Sequence, residues 1–158
     1  MGDLRFVIQL HHATALHYDF RLELGGVLKS WAVPKGPSTD PREKRLAVEV
    51  GDHSLGHADY EGRSVIVWDA GTWRSLTDGS PEHALADGHL SFWLEGQKLR
   101  GGWTLHRTSG GAKPQWLLIK RRDEGADARR NPQSTQPESV KTGRTIAEVK
   151  GQEPEDEA

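Results

Sequence analysis

The run His11-x5-His17-Tyr18-Asp19-Phe20-Arg21 puts two imidazoles, a carboxylate and a guanidinium into one short stretch. Neutral imidazole and carboxylate are donors for Mn, Fe or Zn, and a small protein ligand set leaves positions open for water or substrate. Arginine adds a planar, permanently charged fork that matches phosphate oxygens. If residues 17–24 form a strand, side chains at i, i+2 and i+4 share a face. His17, Asp19, Arg21 and Glu23 then point one way, and Tyr18, Phe20, Leu22 and Leu24 point toward a core. His11, following a first strand, is positioned to add a third ligand. The competing readings are ordinary surface histidines on an antiparallel sheet, and an ion pair of Arg21 with Glu23 or Glu49.

Other polar groups carry weaker signals. Asp52-His53-Ser54-Leu55-Gly56-His57 reads as a loop after a strand. Its imidazoles could move a proton or donate to a phosphate oxygen, or could simply be solvated. Lys35, Arg42, Lys44 and Arg45 flank a Pro-Gly loop and could contact nucleic-acid phosphates, although a solvated charge run explains them equally. Lys120-Arg121-Arg122 is a strand-end basic cluster or plain surface. Of the six tryptophans, Trp31, Trp68, Trp93 and Trp116 fall within apolar strands and read as core, while Trp73 and Trp103 lie near turns.

These groups need rigid elements to hold them. Short alternating runs predict strands at Arg5–Gln9, His17–Leu24, Val27–Val33, Leu46–Val50, Ser64–Asp69, Leu90–Glu95, Gly102–Arg107 and Gln115–Lys120. Gly25-Gly26 reads as a tight hairpin turn, and Pro81–Ala86 as a short helix capped by Ser80. Many closely spaced strands make the chain all-β, as a barrel or sandwich. From about Gly125 the sequence turns to Asp, Glu, Arg, Ser, Gln and Pro, which predicts a disordered tail over 125–158 behind a single domain over 1–124. Thr145–Val149 is read as at most a brief ordered turn.

Composition narrows the classes. A net charge of −2 rules out a globally basic nucleic-acid binder, so any polyanion site must be local. The absence of cysteine excludes disulfides and thiolate metal sites. Hydrophobic residues make up 34% and the mean hydropathy is −0.71, so one modest core is expected. No long apolar run suggests a signal peptide or membrane span, and the expectation is a soluble, cytoplasmic protein.

The run FVIQLHHATALHYDFRLELGGVLKSWAVPKGPSTDPREKRLAVEVGDHSLGHADYEG resembles the phosphoesterase domain of bacterial DNA ligase D. The pieces VIVWDAGTW, GHLSFWLEGQKLRGGWTLHR and QWLLIKRRD fit as well, so the likeness covers roughly Phe6 to Asp123. The resemblance implies a compact antiparallel β-barrel with at most one or two short helices. It implies a manganese-dependent 3′-phosphoesterase and 3′-ribonuclease, with Zn2+ or Co2+ as other metals the same donors accept. Such an enzyme removes a 3′-terminal ribonucleoside and then a 3′-phosphate, leaving a 3′-hydroxyl. Carried over by motif, His11, His17 and Asp19 correspond to metal ligands, and Arg21 and His53 to residues that grip the scissile phosphate. Gln9, Lys35 and Arg45 match positions lining the active site.

The implied partners are DNA or RNA-tipped DNA 3′ ends, and a separate DNA ligase, polymerase or Ku-type protein; no membrane is involved. Two local features depart from the family pattern. His57 stands where a phosphate-contacting Tyr is usual, and an imidazole can take that role with a pH-dependent charge. Glu61-Gly62-Arg63-Ser64 replaces a longer segment of the form IPEGxYGAG, which shortens a loop beside the site. These departures motivate an alternative: a catalytically degenerate module that binds nucleic-acid ends or a repair partner. A third reading joins His17 and Asp19 to His106 as a two-His-one-carboxylate iron site.

Overall fold

The structure is a computed structural model and describes residues 4–152. Eight strands follow in chain order: β1 Leu4–His12, β2 Leu16–Leu24, β3 Val27–Val33, β4 Lys44–His53, β5 Val65–Ser75, β6 His89–Gly96, β7 Arg100–Ser109 and β8 Gln115–Lys120. They close in the order β1-β2-β3-β4-β8-β7-β6-β5, every neighbouring pair being antiparallel. All eight predicted strands exist, and closure decides for the barrel over the sandwich. Closure also leaves no open edge, because β1 pairs with β2 on one side and β5 on the other.

Alternation along each strand divides inside from outside. Phe6, Ile8 and Leu10 of β1, and Tyr18, Phe20, Leu22 and Leu24 of β2, fill the barrel with Trp31, Trp68, Trp73, Trp103 and Trp116. Trp73 and Trp103 are therefore core residues despite lying near turns. Trp93 is not: its neighbours Phe92 and Leu94 point inward, so it stands half-buried on the outer wall. There its indole N–H donates to Glu95 Oε1 at 2.6 Å, with Arg74 over its ring. Lys120 is wholly buried and ion-paired to Asp123 at 2.6 Å, so it belongs to neither a basic cluster nor the surface. The Gly25-Gly26 turn has positive φ at both residues, and helix α1, Pro81–Ala86, is capped by Ser80 Oγ accepting from the His83 N–H.

The segment expected to be disordered is ordered from 125 to 152. It contains α2, Pro132–Thr135, and α3, Ile146–Gln152, so three short helices are present among the described residues rather than one or two. Residues 153–158 of the same expected tail lie outside the described residues. The segment is polar because most of it wraps the barrel, with Val149 alone of its buried residues joining the main core. Its backbone and side chains bond to the wall at many points: Asp127 N–H to Thr39 O at 2.9 Å, Trp68 Nε1 to Gln136 O at 2.9 Å, and Val140 N–H to Val67 O at 2.9 Å. Lys98 Nζ donates to Gln136 O at 2.7 Å and stands 4.4 Å from the centroid of the Trp68 ring. Burial pushes the Lys98 ammonium down to about 8. Thr145 and Glu148 form a reciprocal capping box on α3, which seats Val149 in the core at 1% exposure.

On the outer wall a second, small apolar cluster of Val7, Leu28, Ala58 and Val67, with Val140 against it, pins the 3-10 turn Leu55–Asp59 over β1 and β3. A chain ending at Glu124 loses the burial of Val149 and the partners of Trp68 and Lys98. Thermal denaturation should show a fall of at least about 5 °C relative to the full chain, since losses of several kcal/mol are at stake. An unchanged midpoint would mean that the strap adds nothing to the fold. Gly71→Ala should be severely destabilising, because a Cβ there would sit 1.9 Å from the Glu95 carbonyl oxygen. Soluble expression and urea unfolding check this, and a native-like unfolding midpoint would contradict the tight β5–β6 contact.

Candidate active site

Antiparallel pairing of β1 with β2 sets Gln9 opposite Asp19 and His11 opposite His17. His11 is thus inside β1 and not beyond its end. That places His11 on the same outer face as His17, Asp19 and Arg21. His11, His17 and Asp19 converge, with one ligand atom from each lying within 4.8 Å of the others. His17 Nε2 is 3.2 Å from Asp19 Oδ1, and His11 Nδ1 is 3.8 Å from Asp19 Oδ2. The other nitrogen of His17, Nδ1, faces the Ala15 carbonyl at 3.3 Å, which orients the ring with Nε2 toward the cluster. Burial, then the neighbouring His17, hold the His11 imidazole below its ordinary pKa, which favours the neutral form.

Arg21 is 4% exposed and closely held. Its Nε donates to Gln9 Oε1 at 2.8 Å, Nη1 to Ser30 Oγ at 2.8 Å, and Nη2 stands 3.4 Å from Asp19 Oδ2. Burial lowers its pKa and the Asp19 charge opposes this. The partners imagined from sequence are used elsewhere. Glu23 accepts from the Arg5 backbone N–H, and Glu49 from the Trp116 indole. Gln9 is fully buried and joins two parts of the site. Its Nε2 donates to His57 O at 2.8 Å and Tyr60 O at 3.1 Å, so the same amide fixes Arg21 and the segment above it.

That segment supplies the opposite side. His53 ends β4, and its ring stacks on His57 with centroids 4.5 Å apart; His57 stacks in turn on Tyr60 at 5.4 Å. Burial first and Arg21 second push both imidazoles below their ordinary pKa. A cavity of about 330 Å³ on the outer wall is lined by Gln9, His11, Asp19, Arg21, His53, His57, Tyr60 and Arg63, with Val50 and Val65. Tyr60 and Arg63 were not foreseen. No sequence signal singles out Tyr60, and Arg63 reads as an ordinary turn residue.

Lys35 and Arg45 do not line this cavity. They lie together, Arg45 Nη1 reaching the Lys35 carbonyl at 3.4 Å, and Lys35 itself is exposed. Gln133 of α2 holds their loop by donating to Pro37 O at 2.7 Å and Lys35 O at 3.2 Å. Gly36, at φ 75°, leaves room for that amide, which would lie 2.7 Å from a Cβ. Arg42 is paired with Asp40. His106 does not join the metal-type cluster; it is paired across strands with His89 on β6, which disposes of the iron-site reading. The strap also holds the segment carrying His57 and Tyr60. Glu61 accepts from Val67 N–H at 2.8 Å and Ser139 Oγ at 2.6 Å, and also from Thr142 Oγ1.

Imidazoles and a carboxylate converging beside a fixed guanidinium, on the outer wall of a closed barrel, define a small β-barrel protein with a cleft suited to an anionic ester and a cation. The sequence profile of the DNA Ligase D 3′-phosphoesterase domain matches residues 9–107. The Multifunctional non-homologous end joining protein LigD of Pseudomonas aeruginosa is 50% identical over 157 residues, covering 92% of this chain and 18% of that protein. The Multifunctional non-homologous end joining DNA repair protein LigD of Mycobacterium tuberculosis is 38% identical over 128 residues, covering 75% of this chain and 16% of its own length. The chain belongs to the DNA ligase D 3′-phosphoesterase domain family. It spans less than a fifth of the length of these relatives. Among its described residues no helix is long and apolar enough to cross a membrane.

Gln9→Leu takes away the amide that bonds the buried Arg21 Nε and the Tyr60 carbonyl, and leaves the His57 carbonyl with the Tyr60 N–H alone. It should cost about 1–3 kcal/mol in urea unfolding. A change below about 0.5 kcal/mol would show that the amide is not what holds Arg21.

Proposed function

We propose that this chain is a metal-dependent 3′-phosphoesterase that heals DNA 3′ ends, removing a 3′-phosphate, and a 3′-terminal ribonucleoside, to leave a 3′-hydroxyl. The observation that carries the reading is the convergence of His11, His17 and Asp19 beside the buried, fully oriented Arg21. Family membership supports it, and the relatives' names support a role in non-homologous end joining.

The donor set suits Mn2+, as well as Zn2+ or Co2+: two imidazoles, one oriented by a carbonyl and one kept neutral by its surroundings, with a nearly buried carboxylate. When bound, such a cation polarises a phosphoryl oxygen and lowers the pKa of a water. Arg21 donates to the phosphoryl oxygens and stabilises the charge that grows on them, without reorganising, because Gln9, Ser30 and Asp19 already fix it. His53 and His57 begin neutral in the free cleft. A phosphate ester brings negative charge that favours their protonated form, so a proton taken up with the substrate is available to the leaving 3′-oxygen. At a 3′-phosphate end water adds to phosphorus, the P–O3′ bond breaks, inorganic phosphate leaves and O3′ takes the proton; at a ribonucleoside end the P–O5′ bond breaks first, releasing the nucleoside and leaving the 3′-phosphate.

The test is a gel assay on a labelled primer–template with 3′-phosphate or 3′-monoribonucleotide ends, with and without Mn2+. Metal-dependent conversion to a 3′-hydroxyl is expected. His17→Ala should lose Mn2+ binding and turnover together. Arg21→Lys should keep Mn2+ binding but lose about 10²–10³ in kcat, because an ammonium cannot reproduce the fork. A folded, Mn-bound wild-type protein that converts neither end would replace the enzyme with an end-binding module.

A further inference from the structure

Gly62, Arg63, Ser64 and Val65 form a two-residue turn closed by a reciprocal pair of backbone bonds. The Gly62 N–H donates to Val65 O at 2.8 Å, and the Val65 N–H to Gly62 O at 3.0 Å. Both central residues are left-handed, Arg63 at φ 50° and Ser64 at φ 66°. This is the pattern of a type I′ turn, which favours Asn-Gly because side chains with a Cβ are strained there. Arg63 and Ser64 are the non-glycine residues with positive φ among those described. Among the described residues the only strained turn of this kind therefore sits where Arg63 lines the cavity that holds His11, Asp19 and Arg21. The turn is also tied to the cluster's own strand, since the His12 backbone N–H donates to Ser64 O at 2.9 Å.

We propose that Arg63 is a specificity-determining residue that recognises the terminal phosphate, a second guanidinium at the cavity that Arg21 lines. This deepens the phosphoesterase reading and rests on it. The two arginines differ in kind. Arg21 is buried and fixed by three neighbours, as a residue that must be in place before the reaction. Arg63 is exposed on a turn tip at the same cavity, and its guanidinium offers a fork to the extra negative charge that distinguishes a 3′-phosphate from a 3′-hydroxyl. A strained backbone at such a tip is accounted for by the side chain it keeps at the cavity, since a relaxed Asn-Gly turn would carry no guanidinium.

The experiment separates strain from recognition. The double variant Arg63→Asn with Ser64→Gly gives the turn its preferred residues and removes the guanidinium. Fluorescence anisotropy without divalent metal compares 3′-phosphate with 3′-hydroxyl primer–templates. Wild type should prefer the 3′-phosphate end. The double variant should melt a few degrees higher, yet lose that preference roughly tenfold. Arg63→Lys, which keeps the charge without the fork, should fall between the two and serves if the double variant does not fold. An undiminished preference in these variants, or no preference in wild type, would overturn the proposal. Conversion by wild type in Mn2+ is scored separately. Its absence would sink the phosphoesterase reading, while a preference that vanishes with Arg63 would still stand.

Discussion

A guanidinium buried in the wall of a barrel constrains everything around it. Arg21 is 4% exposed, and taking such a charge out of water is tolerated only where hydrogen bonds and an opposite charge replace the solvent. Gln9 and Ser30 supply the first from the two flanking strands, and Asp19 supplies the second from β2 itself. Each of these neighbours then has a second commitment. Asp19 turns its carboxylate to His11 and His17, and Gln9 reaches the carbonyls of His57 and Tyr60. One buried cation thus orders a metal-type cluster on one side and an imidazole pair on the other.

The same constraint explains why the cleft lies outside the barrel. The interior is filled by aromatic and aliphatic side chains, five tryptophans among them, which offer a phosphate no charged partner. The outer wall is polar but needs cover if Arg21 is to stay dry. The 3-10 turn and its neighbours provide that cover, held by Ala58 in a small apolar patch and by the amide of Gln9. Glu61 anchors the far end of the cover to the strap, and Gln133 anchors the loop of Lys35. A segment without catalytic groups thereby fixes one border of the cleft and, away from it, the loop of Lys35.

How much of this was legible depends on the range over which the signal acts. The eight strands, the Gly25-Gly26 turn, the Ser80 cap and the inside–outside division of β2 follow from local alternation and turn chemistry. The inward Trp68 and the outward Trp93 look alike in sequence, and only the phase of alternation in each strand separates them. The strap has the composition of a disordered segment. Its order comes from bonds to the carbonyls of Thr39, Val67 and Lys98, two from its backbone and one from the Arg130 side chain, that composition does not encode. One cue was present, the Thr145-x-x-Glu148 capping box, which is a helix start written in sequence.

The sequence by itself determined the chemistry on offer and the face that carries it. His17, Asp19 and Arg21 share one side of a strand because side chains alternate with a period of two, a rule that needs no partner strand. Tertiary structure decided which groups meet. Pairing register set His11 beside His17. Barrel closure excluded His106, and the covering segment brought His57, Tyr60 and Arg63 over Arg21 while leaving Lys35 and Arg45 aside. The physical reason is that these contacts join residues far apart in the chain. Their geometry is fixed by closing the sheet and satisfying one buried charge, and no local pattern records either.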